Sequence, residues 1–137
     1  MGNDELLLVL LQRATHVTLH VLGRELADLG LTPSEVNVLA NLADREPRTV
    51  SELGAAAGVR PTTLTGVLDR LADKGLLARA PRPGDRRAIE IALTPDGAKS
   101  AKRVAKAFKA VESEAVADLP ASAVEQARQV LTALAAS

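Results

Sequence analysis

The sequence predicts a mostly α protein with a small β-hairpin: a winged helix-turn-helix domain flanked by N- and C-terminal dimerisation helices. Three observations predict it. Two short helical patterns meet at a glycine turn, Gly58 to Arg60. The stretch that follows, LLARAPRPGDRRAIEIALT, reads as two strands around a Pro/Gly loop. Both ends of the chain carry apolar stripes at helical spacing, over lengths that a small domain does not bury by itself.

The elements follow in order. Leu6 to Leu29 places Leu7, Leu10, Leu11, Ala14, Val17, Val21 and Leu22 at helical intervals and stops at Gly30, a residue suited to a left-handed helix end. LTPSE supplies Thr32 as N-cap, Pro33 in the first turn and Glu35 as the return half of a capping box, with Val36, Leu39, Leu42 and Ala43 as the buried stripe. TVSE repeats the device with Thr49 and Glu52, starting a short Ala-rich helix that ends at Gly58. Pro61 opens the next helix, whose Leu64, Val67, Leu68 and Leu71 face inward and which Gly75 ends. LLARA is then a strand, PRPGD a turn of residues unsuited to strand interiors, and RRAIEIALT a second strand with Ile89, Ile91 and Leu93 alternating against Ala88, Glu90 and Ala92. A hairpin directly after the second helix of a helix-turn-helix is a wing.

Thr94 and Pro95 open a long helix over residues 94–118, about 37 Å at about 1.5 Å per residue. Pro120 restarts a terminal helix with Val124, Ala127, Val130, Leu131 and Leu134 as its stripe. A second chain is the expected partner of these helices, with an intramolecular helical hairpin as the alternative. Residues 1–30 and 99–137 are therefore assigned to dimerisation and 31–98 to the winged domain, all within one compact unit.

Composition narrows the function. A chain of 137 residues that is 47% hydrophobic is one domain's worth and too apolar for disorder. Cysteine is absent, which excludes disulfides, thiol switches and thiolate-bound metal. With one Phe and neither Tyr nor Trp, stacking of single-stranded bases is implausible. LLLVLL at Leu6 to Leu11 is too short for a membrane span and follows acids, not a basic leader head, so a cytoplasmic protein is expected, nucleoid-associated when bound to DNA. The net charge is zero, yet unevenly divided: residues 1–59 hold four Lys/Arg against eight Asp/Glu, residues 60–103 ten against five, and residues 104–137 three against four. A basic middle between acidic flanks suits a polyanion-binding module; a merely solvated basic face is the alternative.

The arginines have a geometric reading in that setting. RAPRPGDRR, residues 79–87, carries four arginines against one acid at the wing, and a wing lies beside the minor groove when its recognition helix enters the major groove. Arg86 or Arg87 would enter that groove, with Arg82 in the same loop, while Asp85 pairs with an arginine and fixes the loop. At the recognition helix, Arg60 stands where Ser, Thr or Asp would normally cap, a poor local choice that makes sense if a phosphate arrives there. Pro61, Thr62, Thr63, Gly66 and Arg70 lie away from the Leu stripe as candidate base and phosphate readers.

TVSELGAAAGV, TLTGVLDRLADKGLLAR and DRRAIEIALTPDG together resemble the winged helix-turn-helix core of the multiple antibiotic resistance regulator (MarR) family, over roughly residues 32–98. The resemblance implies a homodimer with interlocked first and last helices, a pseudo-palindromic duplex operator, and often a small-molecule ligand between dimer helices and winged domain. By motif position Thr65, Asp69, Asp85, Arg86 and Arg87 carry over. Arg60 and Gly66 depart from the family, which often has Ser and Arg there, so a relative's base preference does not transfer. The effector implied is an aromatic acid or lipophilic anion, placed near His16, His20 and Phe108.

Other functions find less support. His16 and His20 at i and i+4 could be two metal ligands, but no other His or Cys completes a site, so neither metal nor cofactor is expected. No cysteine, Gly-rich phosphate loop or acid pair suggests an enzyme. A winged-helix protein-interaction module without an operator remains the alternative, although its exposed face would be apolar and not arginine-rich.

Overall fold

The computed structural model of the chain describes residues 4–137. Its order is α1 (Leu7–Glu25), α2 (Pro33–Leu42), β1 (Arg48–Thr49), α3 (Val50–Ala57), α4 (Pro61–Asp73), β2 (Leu77–Arg82), β3 (Asp85–Leu93), α5 (Pro95–Ala115) and α6 (Ala121–Ala135). The strands form one antiparallel sheet in the order β1-β3-β2, with β3 in the middle.

Threonine caps place the helices. Thr32 Oγ1 accepts the Glu35 amide at 3.2 Å while the Glu35 carboxylate accepts the Thr32 amide at 2.7 Å. The same box at Thr49 and Glu52 has distances of 3.1 and 2.9 Å. Thr94 caps α5 by accepting the Gly97 amide at 3.0 Å and also donates to the Gly75 carbonyl at 2.7 Å, tying α5 to the end of α4. Gly97 is required there because a Cβ would lie 1.7 Å from the Leu76 carbonyl oxygen. Leu39, Leu42, Leu53, Leu64, Leu68 and Leu71, all within 1% of fully buried, fill the space between α2, α3 and α4, and Ile91 and Val104 close it from the sheet and α5.

One acid is sealed into this body. Glu35 is fully buried, and besides its capping bond it accepts the Lys74 ammonium at 2.9 and 3.0 Å, fastening the start of α2 to the end of α4. Burial pushes its carboxyl pKa up, but the Thr32 amide and Lys74 outweigh that and hold it below the ordinary value.

Several expectations need correction. The first helix ends at Glu25, not Leu29: Leu26 leaves α geometry and a 3-10 turn spans Ala27–Leu29 before Gly30, at φ 64°. In a 3-10 turn residues i and i+3 eclipse, so Leu26 and Leu29 stack toward the core together. The sheet has a third strand, β1, two residues long and paired through Arg48 and Thr49 to Ile91 and Glu90. Pro81 and Arg82 belong to β2 and not to the turn; β2 is an edge strand, where a missing N–H is tolerated, and its register slips between them. Ile89 is exposed, because β3 at that point has run out past the core into the wing. The long helix stops at Ala115 instead of 118.

The terminal helices remain open. α6 buries none of its residues and α1 only Leu22. Leu7, Leu8, Val17, Leu119 and Leu131 are more than 45% exposed. No helix among the described residues is long and apolar enough to cross a membrane.

Candidate nucleic-acid interface

The interface begins at the N-terminus of α4. Arg60 occupies the N-cap with extended backbone and its side chain makes no capping bond, and no acid stands in the first turn. Pro61 has no N–H, so the amides of Thr62 and Thr63 are left facing outward, where an oxyanion would satisfy them. Both threonines are exposed, as is Thr65, whose hydroxyl donates to the Pro61 carbonyl at 2.9 Å. Gly66 fulfils no packing need: a Cβ there would meet only the Arg70 guanidinium, at an ordinary 3.7 Å. Arg70 is half-exposed and leans back toward Glu35, 3.8 Å away, so its charge is partly engaged inside the protein.

The wing divides its arginines. At its base, Arg79 pairs with Asp69 of α4 at 2.7 Å. Arg82 pairs with Glu90 at 2.8 Å and Glu52 at 2.6 Å, linking both wing strands to α3. Glu52 thus serves two ends; the Thr49 amide and Arg82 together bring its carboxyl down to about 2. At the tip, Gly84 takes φ 82° in the two-residue loop between the strands. Arg86 and Arg87 are exposed and form no ion pair among the described residues. Asp85 accepts the Arg87 backbone amide at 3.0 Å; in place of the expected pairing with a guanidinium stands this short-range turn, which a carboxylate two residues back reaches more easily.

Sequence reasoning missed two parts of this arrangement. Glu52 is legible as a capping residue, which hides its second role, and Arg82 groups by sequence with the arginines expected to meet DNA although two carboxylates pair with it. The available signal is Glu90, an acid in the interior of a wing strand whose neighbours there are all apolar.

A second feature lies between α1 and the start of α2: a groove of about 460 Å³ whose walls include Thr18, Leu22, Leu26, Pro33, Val36 and Phe108. Phe108 lines this groove, whereas His16 and His20 are not among its lining residues. The groove is bordered by Thr15, Thr18, Leu19 and Leu22, and His16 and His20 sit about 100° further round α1, on its exposed side. Among the described residues no group of three or more His, Cys, Asp or Glu could hold a metal.

Comparison with known proteins agrees with this geometry. The sequence pattern of the MarR family matches residues 29–88. The chain is 33% identical over 106 residues to the HTH-type transcriptional repressor MdtR of Bacillus subtilis, covering 77% of this chain and 68% of that protein. It is 37% identical over 78 residues to the multiple antibiotic resistance protein MarR of Salmonella typhimurium, covering 57% of this chain and 54% of that relative. In three dimensions it is similar to CouR from Rhodococcus jostii RHA1 bound to p-coumaroyl-CoA, with a TM-score of 0.86 at 26% identity, covering 98% of this chain and 93% of that one.

Proposed function

Because the chain belongs to the MarR family, we propose that it is a sequence-specific, duplex-DNA-binding transcriptional regulator, a ligand-responsive repressor that acts as a homodimer on a pseudo-palindromic operator. Residues 31–98 bind DNA, and residues 1–30 and 99–137 dimerise through the apolar faces that α1 and α6 leave uncovered. The protein acts by binding, without a cofactor, in the cytoplasm and on the nucleoid. The observation that carries this reading is the division of its arginines: in a protein of zero net charge, Arg60, Arg86 and Arg87 stand exposed, without acidic partners among the described residues, at a helix N-terminus and a wing tip.

Each group has a role. Arg60 with the free amides of Thr62 and Thr63 takes a phosphate, and Thr62, Thr63, Thr65 and Gly66 present a small surface to base edges in the major groove. Arg86 and Arg87 reach the flanking minor groove. Arg82 braces the wing from within, and Asp85 shapes its tip. A small-molecule effector would occupy the groove at Phe108, where α1 meets the winged domain.

Selection of bound sequences from random duplex DNA tests the core claim. An inverted repeat with half-site centres about 10 base pairs apart is expected. Recovery of no enriched sequence, or of single half-sites bound by one subunit, contradicts it. On the selected operator, Arg60→Ala should weaken binding about equally for all flanks and reduce the salt slope by about two per dimer, whereas Arg87→Ala should cost most on A·T-rich flanks.

A further inference from the structure

We infer that the groove between α1 and α2 takes a neutral, mostly apolar ligand carrying a hydrogen-bond donor, in preference to an anion. This rests on the reading of that groove as the effector site and specifies what it recognises.

Charge is the first observation. Among the described residues no Lys, Arg or His lines the groove. A carboxylate entering it would lose water without gaining a counter-ion, which is unfavourable for any buried charge. The polar atoms point the same way. Thr15 Oγ1 donates to the Leu11 carbonyl and Thr18 Oγ1 to the Ala14 carbonyl, each at 2.8 Å. Their protons are used on their own helix, so the groove meets only their lone pairs. Asn37 is partly tied as well: one Nδ2 hydrogen goes to the Ala57 carbonyl at 3.1 Å and its Oδ1 accepts from Asn41 at 3.1 Å.

The start of α2 borders the groove through Pro33 and Ser34, and a helix N-terminus ordinarily welcomes an anion. Here the place is largely taken. Pro33 has no amide hydrogen, the Thr32 and Glu35 amides are spent in the capping box, and the Glu35 carboxylate already sits on the positive end of the dipole, so Ser34 alone, through its hydroxyl and amide, keeps uncharged donors at this edge. A ligand with a phenol, aniline or amide hydrogen aimed at Thr15 or Thr18 matches this surface, and about 460 Å³ accommodates two fused or linked rings.

Two fluorescent probes with one skeleton separate the alternatives: N-phenyl-1-naphthylamine, neutral with an N–H donor, and 8-anilinonaphthalene-1-sulfonate, which adds an anionic group. Titrated into the full chain, the neutral probe should bind at least about tenfold more tightly. Thr18→Val, which keeps the shape and removes the acceptor, should weaken the neutral probe by roughly fivefold. Ser34→Lys, which supplies the missing cation at an exposed position, should narrow the gap by about tenfold through gain of the sulfonate probe. Tighter binding of the sulfonate to the unaltered chain overturns the inference while leaving the groove as effector site. Insensitivity to both substitutions places binding elsewhere and overturns it too. If neither probe binds, as when a second copy fills the groove, the effector reading fails together with the inference.

Discussion

The winged body and the terminal helices are built from the same residues, Leu, Val and Ala, yet they reach opposite ends. Between Val36 and Val104 the apolar side chains close on one another until ten of the core positions have almost no exposed surface. In α6 a stripe of similar composition buries nothing, and in α1 only Leu22 is buried. The difference lies in connectivity. Short capped helices folded back by Gly58 and Gly75 meet within one chain, whereas α1 and α6 each present a long apolar face that none of the described elements covers. One region is complete in a single copy, and the other leaves its apolar faces open.

The sharpest way to break that contrast is Leu131→Glu on α6. If the exposed stripe is a dimer face, the substitution places two carboxylates in it and removes two buried leucines, each worth about 1.5 to 3 kcal/mol, so dimerisation should weaken by at least about 100-fold. Sedimentation equilibrium checks the association and urea unfolding checks that the winged body stays intact. An unchanged dimer would mean that α6 lies outside the interface.

Gly97→Ala is the reciprocal experiment, aimed at the body alone. Its new Cβ would fall 1.7 Å from the Leu76 carbonyl, against backbone that cannot swing aside, so α5 must separate from the β2 end at a cost of about 3 kcal/mol or more. Equilibrium denaturation should show the loss, while the apolar faces of α1 and α6 are untouched by it. A loss below about 1 kcal/mol would mean the junction of β2 and α5 is soft.

Most of the body is legible in the amino-acid sequence. Thr32, Thr49 and Thr94 each announce a helix start that the fold keeps, because capping is decided within four residues. β1 is not legible, since two residues carry no alternation and Arg48 joins the sheet only because β3 passes beside it. Nor is the wing's ion-pair pattern: Arg82 meets Glu52 across 30 positions, and which of four neighbouring arginines finds an acid depends on that fold. The same limit applies to His16 and His20, since the apolar stripe of α1 gives the helix but not which edge of it borders the groove.

A smaller effect separates the wing's base from its tip. Arg82→Ala removes two ion pairs that remain partly exposed, worth about 0.2 to 1 kcal/mol each, and should lower stability by about 1 kcal/mol while speeding amide exchange in β2. Arg87→Ala removes no pair among the described residues and should leave stability within about 0.5 kcal/mol of the parent. Equal exchange rates in the two variants would deprive Arg82 of its bracing role.

The smallest effect follows from the acid that joins capping and wing. Glu52 is held at about 2 against an ordinary 4.5, first by the Thr49 amide and then by Arg82, and Asp44 is brought to about 2 by Arg48 and the Glu46 amide. Both folded values are depressed, so the stability these groups contribute is fully present above their unfolded values and is lost as pH falls from about 4.5 toward 2. Glu52→Gln keeps a side-chain oxygen for the Thr49 amide but surrenders the charge pair with Arg82, so its thermal midpoint should lie slightly below the parent's at pH 7 and converge on it near pH 2. Thermal unfolding scanned across that range gives the answer. Parallel curves, with a constant gap from pH 7 to 2, would show that Glu52 acts through its cap alone and that Arg82 rests on Glu90.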